Sequence, residues 1–219
     1  MSKSLFAVAM LLLCVSFASA GTISLDSVAG IPTACNFVAA FPCSTTVTIN
    51  THPAWQSNNP VNPGNPADHS AVWVSYADTG YGGSQFQPYE GTTPVASVLD
   101  SFTSGAGSLI LNVWSDDTAA VYLDGNLLFA PVFTQSTCSG QPIGCRPQDL
   151  GSINTAIGAG KHTLQFNMFQ VGTGGDTYSN PMGLLFTGTA PATPEPSSLL
   201  LLGSGLLGAI TTVRRKLKK

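Results

Sequence analysis

The chain has 219 residues, 43% hydrophobic and only 9% charged, with a formal net charge of −3 at pH 7. That total conceals a body, Gly21 to Thr193, in which ten carboxylates face only Arg146 and Lys161, a net −8. Such a surface has no cationic stripe for phosphates, which argues against nucleic acid, and its length suits one domain with a sizeable core.

The chain opens with Lys3, an apolar run from Leu5 to Val15, and Ala18-Ser19-Ala20. A basic start, a short apolar stretch and small residues at the two positions a signal peptidase reads predict a secretory signal over residues 1–20, cut between Ala20 and Gly21. Cys14 follows a leucine, whereas a lipidated cysteine follows a small residue, so a lipoprotein is not expected. Export places the body outside the cytoplasm, where thiols oxidise. The four remaining cysteines form two local pairs, Cys35 with Cys43 and Cys138 with Cys145. Among the three connectivities the local one is expected, because short loops hold those partners close. Each bridge would contribute about 2–3 kcal/mol through chain entropy. Neither pair has CxxC spacing or a neighbouring histidine, which argues against zinc.

Strand signals then recur along the body. Thr22 to Val28, Thr45 to Ile49, Ala71 to Tyr76, Val95 to Phe102 and Ser108 to Trp114 come first. Ala119 to Leu123 and Leu127 to Phe129 flank Asp124-Gly125-Asn126, and Asp-Gly tolerates positive φ at both positions, so this is a hairpin. In Lys161 to Val171 the residues alternate, with Thr163, Gln165 and Asn167 on one face and Leu164, Phe166 and Met168 on the other. Gly183 to Thr189 is the last strand. No stretch has sustained helical periodicity. The prediction is an all-β, antiparallel β-sandwich of jelly-roll type over residues 21–189. His52 to His69, rich in proline and asparagine, and Phe133 to Asp149 read as loops.

Trp114 to Phe129 (WSDDTAAVYLDGNLLF) and Gly158 to Gln170 (GAGKHTLQFNMFQ) together resemble a motif pair of protective-antigen-type β-sandwich modules. The resemblance implies that Asp116 and Asp117 hold Ca2+, which in calcium-dependent adhesins of that group holds a sugar diol. Adjacent carboxylates suit this ion, which takes six to eight hard oxygens. Asp100, Asp124 and carbonyls near Asn126 are the available further ligands. The competing role is a turn leading into a strand, with aspartate capping backbone N–H groups. Capping is the favoured role, so calcium is expected to shift the melting temperature little. The sequence demands no cofactor, and Ca2+ is the one this resemblance implies.

Trp55, in the Pro/Asn loop, is a candidate to stack on a sugar ring; its alternative is a side chain tucked onto the core. Trp73 and Trp114 lie in strands and are expected in the core. Enzyme signals are thin. Asp68-His69-Ser70 are consecutive, whereas a triad converges from separate elements. No Gly-rich phosphate loop or HExxH is present.

The end of the chain reads differently. Ala190 to Ser198 is a proline-rich linker containing Pro194-Glu195-Pro196. Leu199 to Val213 carries no charge over fifteen residues, a helix of about 22 Å. Extending the helix to Pro196 and letting Arg214 and Lys216 snorkel closes most of the gap to a bilayer core of about 30 Å. Arg214, Arg215, Lys216, Lys218 and Lys219 follow and hold that end cytoplasmic. Residues 199–219 are therefore predicted as a single transmembrane helix with a basic tail. Pro-Glu-Pro, an apolar helix and a terminal basic cluster, in that order, resemble the PEP-CTERM sorting signal of Gram-negative bacteria. The resemblance implies transient anchoring in the inner membrane, cleavage near the motif by an exosortase, and release to the cell surface or extracellular matrix.

The expected partners are signal peptidase, an exosortase-type enzyme, the membrane and exopolysaccharide. The expected function is structural or carbohydrate-interacting and non-enzymatic, with a secreted polysaccharide hydrolase as the alternative.

Overall fold

The computed structural model of the protein describes residues 21–35, 44–67, 70–88, 90–133 and 143–193, together with Gly203 and Gly205. Residues 22–191 form one compact unit. The termini, 1–21 with 192–219, form another, in which Gly203 and Gly205 have helical backbone. The signal segment, the Pro194-Glu195-Pro196 motif, the basic cluster and the rest of the predicted membrane helix lie outside the described residues. Among the described residues no helix is long and apolar enough to cross a membrane.

The described strands are β1 (Thr22–Asp26), β2 (Thr33–Cys35), β3 (Val47–Thr48), β4 (Val74–Ser75), β5 (Ala96–Ser104), β6 (Gly107–Asp116), β7 (Thr118–Leu123), β8 (Asn126–Phe129), β9 (Gly151–Ile157), β10 (Gly160–Phe169) and β11 (Gly183–Pro191). They make two sheets, ordered β3-β4-β11-β6-β9 and β2-β5-β10-β7-β8, with β1 also on β11. All the pairings are antiparallel.

The alternation in β10 sets one inner face. Leu164, Phe166 and Met168 are fully buried, while Thr163, Gln165 and Asn167 are partly exposed. From the other sheet come Leu109, Leu111 and Val113 of β6 and Leu184 and Phe186 of β11. Phe166 stacks on Phe186 with ring centroids 4.4 Å apart and planes 18° apart. The sheets thus meet face to face, as a sandwich does.

The first sheet is covered on its outer face as well. Leu185 and Trp114 point away from the sandwich core into a second apolar cluster with Ile49, Trp55 and Trp73. Farther along, the Thr189 hydroxyl donates to the Pro63 carbonyl at 2.8 Å and the Thr187 hydroxyl to Asp26 at 2.6 Å. The Pro/Asn loop thus takes the Thr189 hydroxyl, while β1 takes that of Thr187.

Two expectations needed correction. Ala71 to Tyr76 is buried but only Val74 and Ser75 pair as a strand, because the loop takes the preceding backbone groups: Asn58 Oδ1 accepts the Trp73 N–H at 3.0 Å. β11 continues to Pro191, into the stretch read as linker. β2 and β9 were not expected. Cys35 and Cys145 are each disulfide-bonded. Cys43 and Cys138, their expected partners, lie outside the described residues, as do Asp68 and His69.

Asp124 (φ 50°) and Gly125 (φ 81°) make the β7–β8 turn as the Asp-Gly pair requires. This turn is clasped to the β9–β10 turn. His162 Nδ1 donates to Asp124 Oδ2 at 2.7 Å, its Nε2 to the Gly158 carbonyl at 3.0 Å, and Asp124 Oδ1 accepts the Thr163 N–H at 2.8 Å. The hydrogen bond to Asp124 holds the His162 pKa above its usual 6.5, against some burial. Burial raises the Asp124 pKa, but hydrogen bonds from His162 and Thr163 outweigh it and leave the value below 3.8. A raised histidine stabilises fully below 6.5 and loses that contribution as pH rises through its folded value. A depressed aspartate contributes above 3.8 and loses its share as pH falls through its folded value. The clasp is thus strongest in mild acid. Urea denaturation of His162→Gln is expected to show a flatter fall of stability above pH 6.5 than the native protein; identical pH profiles would refute the clasp.

Candidate functional site

Asp116 ends β6 in one sheet, and Asp117 leads into β7 in the other, so the pair sits where the chain crosses between sheets. The peptide between them is cis. Both side chains are buried, at 4% and 1% exposure. Asp117 Oδ2 accepts the Val171 and Gly172 N–H groups at 2.7 and 2.6 Å, just past the end of β10. Asp116 Oδ2 accepts the Trp55 indole N–H at 2.7 Å. Burial first, then the charge of Asp117 and the hydrogen bond with it, hold Asp116 well above the usual carboxylate range; the Trp55 N–H opposes this only in part. Two carboxylates so placed cannot both stay charged cheaply. A shared proton or a cation completes the arrangement.

A cavity of about 150 Å³ opens beside the pair, walled by His52, Trp55, Arg146, Tyr178, Ser179 and Asn180. Trp55 does not stand out as a stacking platform. It is 5% exposed, its ring lies 4.2 Å from that of Trp73, and its N–H is held by Asp116. Gly183, the partner of Asp116 across the ladder, lies under this cluster, where a β-carbon would come within 2.6 Å of Ile49 and 3.1 Å of Trp73. Of the two roles weighed for Trp55, the structure has the one in which the indole is tucked onto the sheet, against Trp73. His52 Nδ1 accepts the Ala54 N–H at 3.0 Å, and burial lowers the pKa of this ring.

The other expected ligands are elsewhere. Asp124 is occupied by His162 and Thr163, Asn126 opens β8, and Asp100 borders a separate cavity with Val28 and Gly30. Among the described residues no three His, Cys, Asp or Glu side chains cluster for a metal. The Asp pair therefore lacks the side chains a transition metal selects. It fits a hard cation such as Ca2+, which fills its shell with neutral oxygens and water. Asn180 and Ser179 are oxygen-bearing neighbours in the cavity wall.

Sequence reasoning missed His52, Arg146, Tyr178, Ser179 and Asn180. They come from three segments far apart in the chain, so no local spacing joins them. A faint signal exists at Asp176, whose Oδ1 accepts the N–H groups of Tyr178 and Ser179 at 3.1 and 2.8 Å in an Asx turn.

An exo-beta-1,3-galactanase from Phanerochaete chrysosporium, solved with beta-1,3-galactotriose, is similar at 10% identity and a TM-score of 0.36. The match covers 78% of this chain and 29% of that one, so the chain spans under a third of the galactanase. A family 35 carbohydrate binding module from Clostridium thermocellum is similar at 8% identity and a TM-score of 0.33, covering 79% of this chain and all of that one. No curated protein matches the sequence. Residues 192–216 match the family model of the PEP-CTERM protein-sorting motif, so the C-terminal segment carries that motif.

Proposed function

We propose that the protein is exported, sorted by an exosortase and delivered to the cell surface or extracellular matrix, where it engages carbohydrate without catalysis. The sorting motif over residues 192–216 supports the first half. The signal peptide over 1–20, the membrane helix within 199–219 and the bridges Cys35–Cys43 and Cys138–Cys145 belong to the same reading. Mass spectrometry of the surface form, digested without reduction, is expected to join those cysteines and to lack the peptides after Leu199. Recovery of the full C-terminus from a strain with an active exosortase would make the anchor permanent instead.

The observation that carries the second half is the buried Asp116–Asp117 pair beside an open cavity. Capping and cation binding are compatible roles here. One Asp117 oxygen serves the Val171 and Gly172 N–H groups, and a cation would neutralise the buried pair in place of a shared proton. Ca2+ held by this pair would supply a positive centre for adjacent sugar hydroxyls. The capping expected from the sequence is present; a large calcium effect, in place of the small one that capping alone implies, is what the cation reading adds. Hydrolysis is less well supported, because a glycosidase sets two carboxyl groups about 5–10 Å apart across its substrate, whereas these two are adjacent in the chain and both buried.

A glycan array probed with the full chain in detergent, with and without calcium, tests the reading. Calcium at a hundredfold excess over Kd is expected to raise the melting temperature by about 5–10 °C, from about 2.7 kcal/mol of binding linkage. The double variant Asp116→Asn with Asp117→Asn should lose the rise. No shift, or release of sugar from polysaccharide by the native chain, would defeat the proposal.

A further inference from the structure

We propose that Tyr178 is the stacking face of this site, and that the site takes a single pyranose ring, at a chain end or branch, rather than a run of linked sugars. The inference rests on the carbohydrate reading above and names the residue and ligand form that it leaves open.

Tyr178 is 63% exposed, the largest exposure among the big apolar side chains described. It lies in the wall of the cavity beside Asp116 and Asp117, and unlike Trp55, which is buried, it is open to solvent. An aromatic ring left in water at the rim of a polar cavity offers a flat apolar surface, and the C–H face of a pyranose complements it while its hydroxyls reach the polar floor.

The ring is also held in place before any ligand arrives. It packs edge-to-face on Tyr81, with centroids 5.3 Å apart, and Tyr81 in turn packs on His52 at 4.7 Å. Beneath it lies Gly82, where a β-carbon would come within 3.1 Å of the ring. The loop that carries it is pinned at several points. Asp176 Oδ1 accepts the Tyr178 and Ser179 N–H groups and the Ser179 hydroxyl. The Thr177 hydroxyl donates to the Gly83 carbonyl at 2.8 Å, and Asn180 Nδ2 donates to the Gly172 carbonyl at 3.0 Å. A fixed aromatic face binds without the entropy cost of ordering a loop. The size of the cavity sets the ligand form. About 150 Å³ is well under the roughly 300–1,000 Å³ of pockets that enclose a drug-sized ligand. One ring enters, and the rest of a polysaccharide stays outside.

The test uses the full chain in detergent and the strongest binder from the glycan array. Tyr178→Ala is expected to weaken binding by about tenfold and Tyr178→Phe by less than about twofold, since the ring and not the hydroxyl carries the contact. The methyl glycoside of the terminal sugar should compete nearly as well as the whole oligosaccharide. Unchanged affinity in Tyr178→Ala, with the native chain still binding, overturns the role of Tyr178 and leaves the carbohydrate reading standing. An oligosaccharide bound more than about tenfold tighter than its terminal methyl glycoside overturns the single-ring part. A native chain that binds no glycan overturns both readings together. Equal melting temperatures for the native chain and both variants show that the affinity loss comes from the site and not from unfolding.

Discussion

Phe166→Ala is expected to cost about 3–5 kcal/mol, the range for truncating a buried phenylalanine. Phe166 has no exposed surface and stacks on Phe186 across the two sheets at 4.4 Å. Its removal leaves a cavity between faces whose backbone is fixed by ladders on both sides: β10 lies between β5 and β7, and β11 between β6 and the β1/β4 edge. The walls therefore cannot close by moving one strand. Domains are stable by only about 5–15 kcal/mol, so this variant should lose a large share of its stability. Phe166→Leu keeps most of the volume and should cost much less. Urea midpoints with unchanged m-values give the comparison. An alanine variant within about 1 kcal/mol of the native chain would mean that the sheets are not locked by this stack.

The second large effect concerns Asp117. Its Oδ2 is the acceptor for two buried N–H groups, of Val171 and Gly172. Asp117→Ala leaves both without that acceptor, at about 1–3 kcal/mol each. Relief of repulsion from Asp116 acts in the opposite direction, so the expected loss in the absence of calcium is about 2–4 kcal/mol. Asp117→Asn keeps an oxygen acceptor at that position and removes the charge. It should be far closer to native stability while losing the calcium response. The two substitutions thus separate the capping role from the cation role. Equal stability of the alanine variant and the native protein would remove the capping role altogether.

What was legible in the sequence followed from periodicity and turn chemistry. Leu164, Phe166 and Met168 declared the inner face of β10, and Asp124-Gly125 declared a hairpin, because both signals depend on neighbours in the chain. β9 was less visible. Gly151, Ile153 and Ile157 face inward, but serine and asparagine lie between them and the apolar signal is diluted. β2 is three residues long and follows a proline, too short for a pattern. Ala71 to Tyr76 looked like a strand because it is apolar. Its burial is real, but Asn58 and Asn59 take backbone groups that a ladder would use: Asn58 Oδ1 accepts from Trp73 N, and the Ala71 carbonyl accepts from Asn59 N.

At the site the Asp116–Asp117 pair was visible as adjacent letters, and its burial was not. Trp55 was visible as a lone aromatic in a polar loop. Whether it faced water depended on Ile49, Trp73, Leu185 and Asp116, which meet it only in the fold. Tyr178, His52 and Arg146 converge only through the fold, so no reading of local spacing could assemble them.

The position of β11 bears on how the protein carries mechanical load. Any tension applied through the chain after the body would enter it at Pro191, the last residue of β11. That strand is interior to its sheet, paired with β6 over Gly183 to Thr189 on one side and with β1 over Thr187 to Pro191 on the other. Pulling along it loads these ladders in shear, so many hydrogen bonds must break together, whereas a tether on an edge strand would peel them one at a time. Resistance to such pulling is governed by the unfolding rate rather than by equilibrium stability. A body loaded through an interior strand would therefore unfold more slowly under pulling than one loaded through an edge strand.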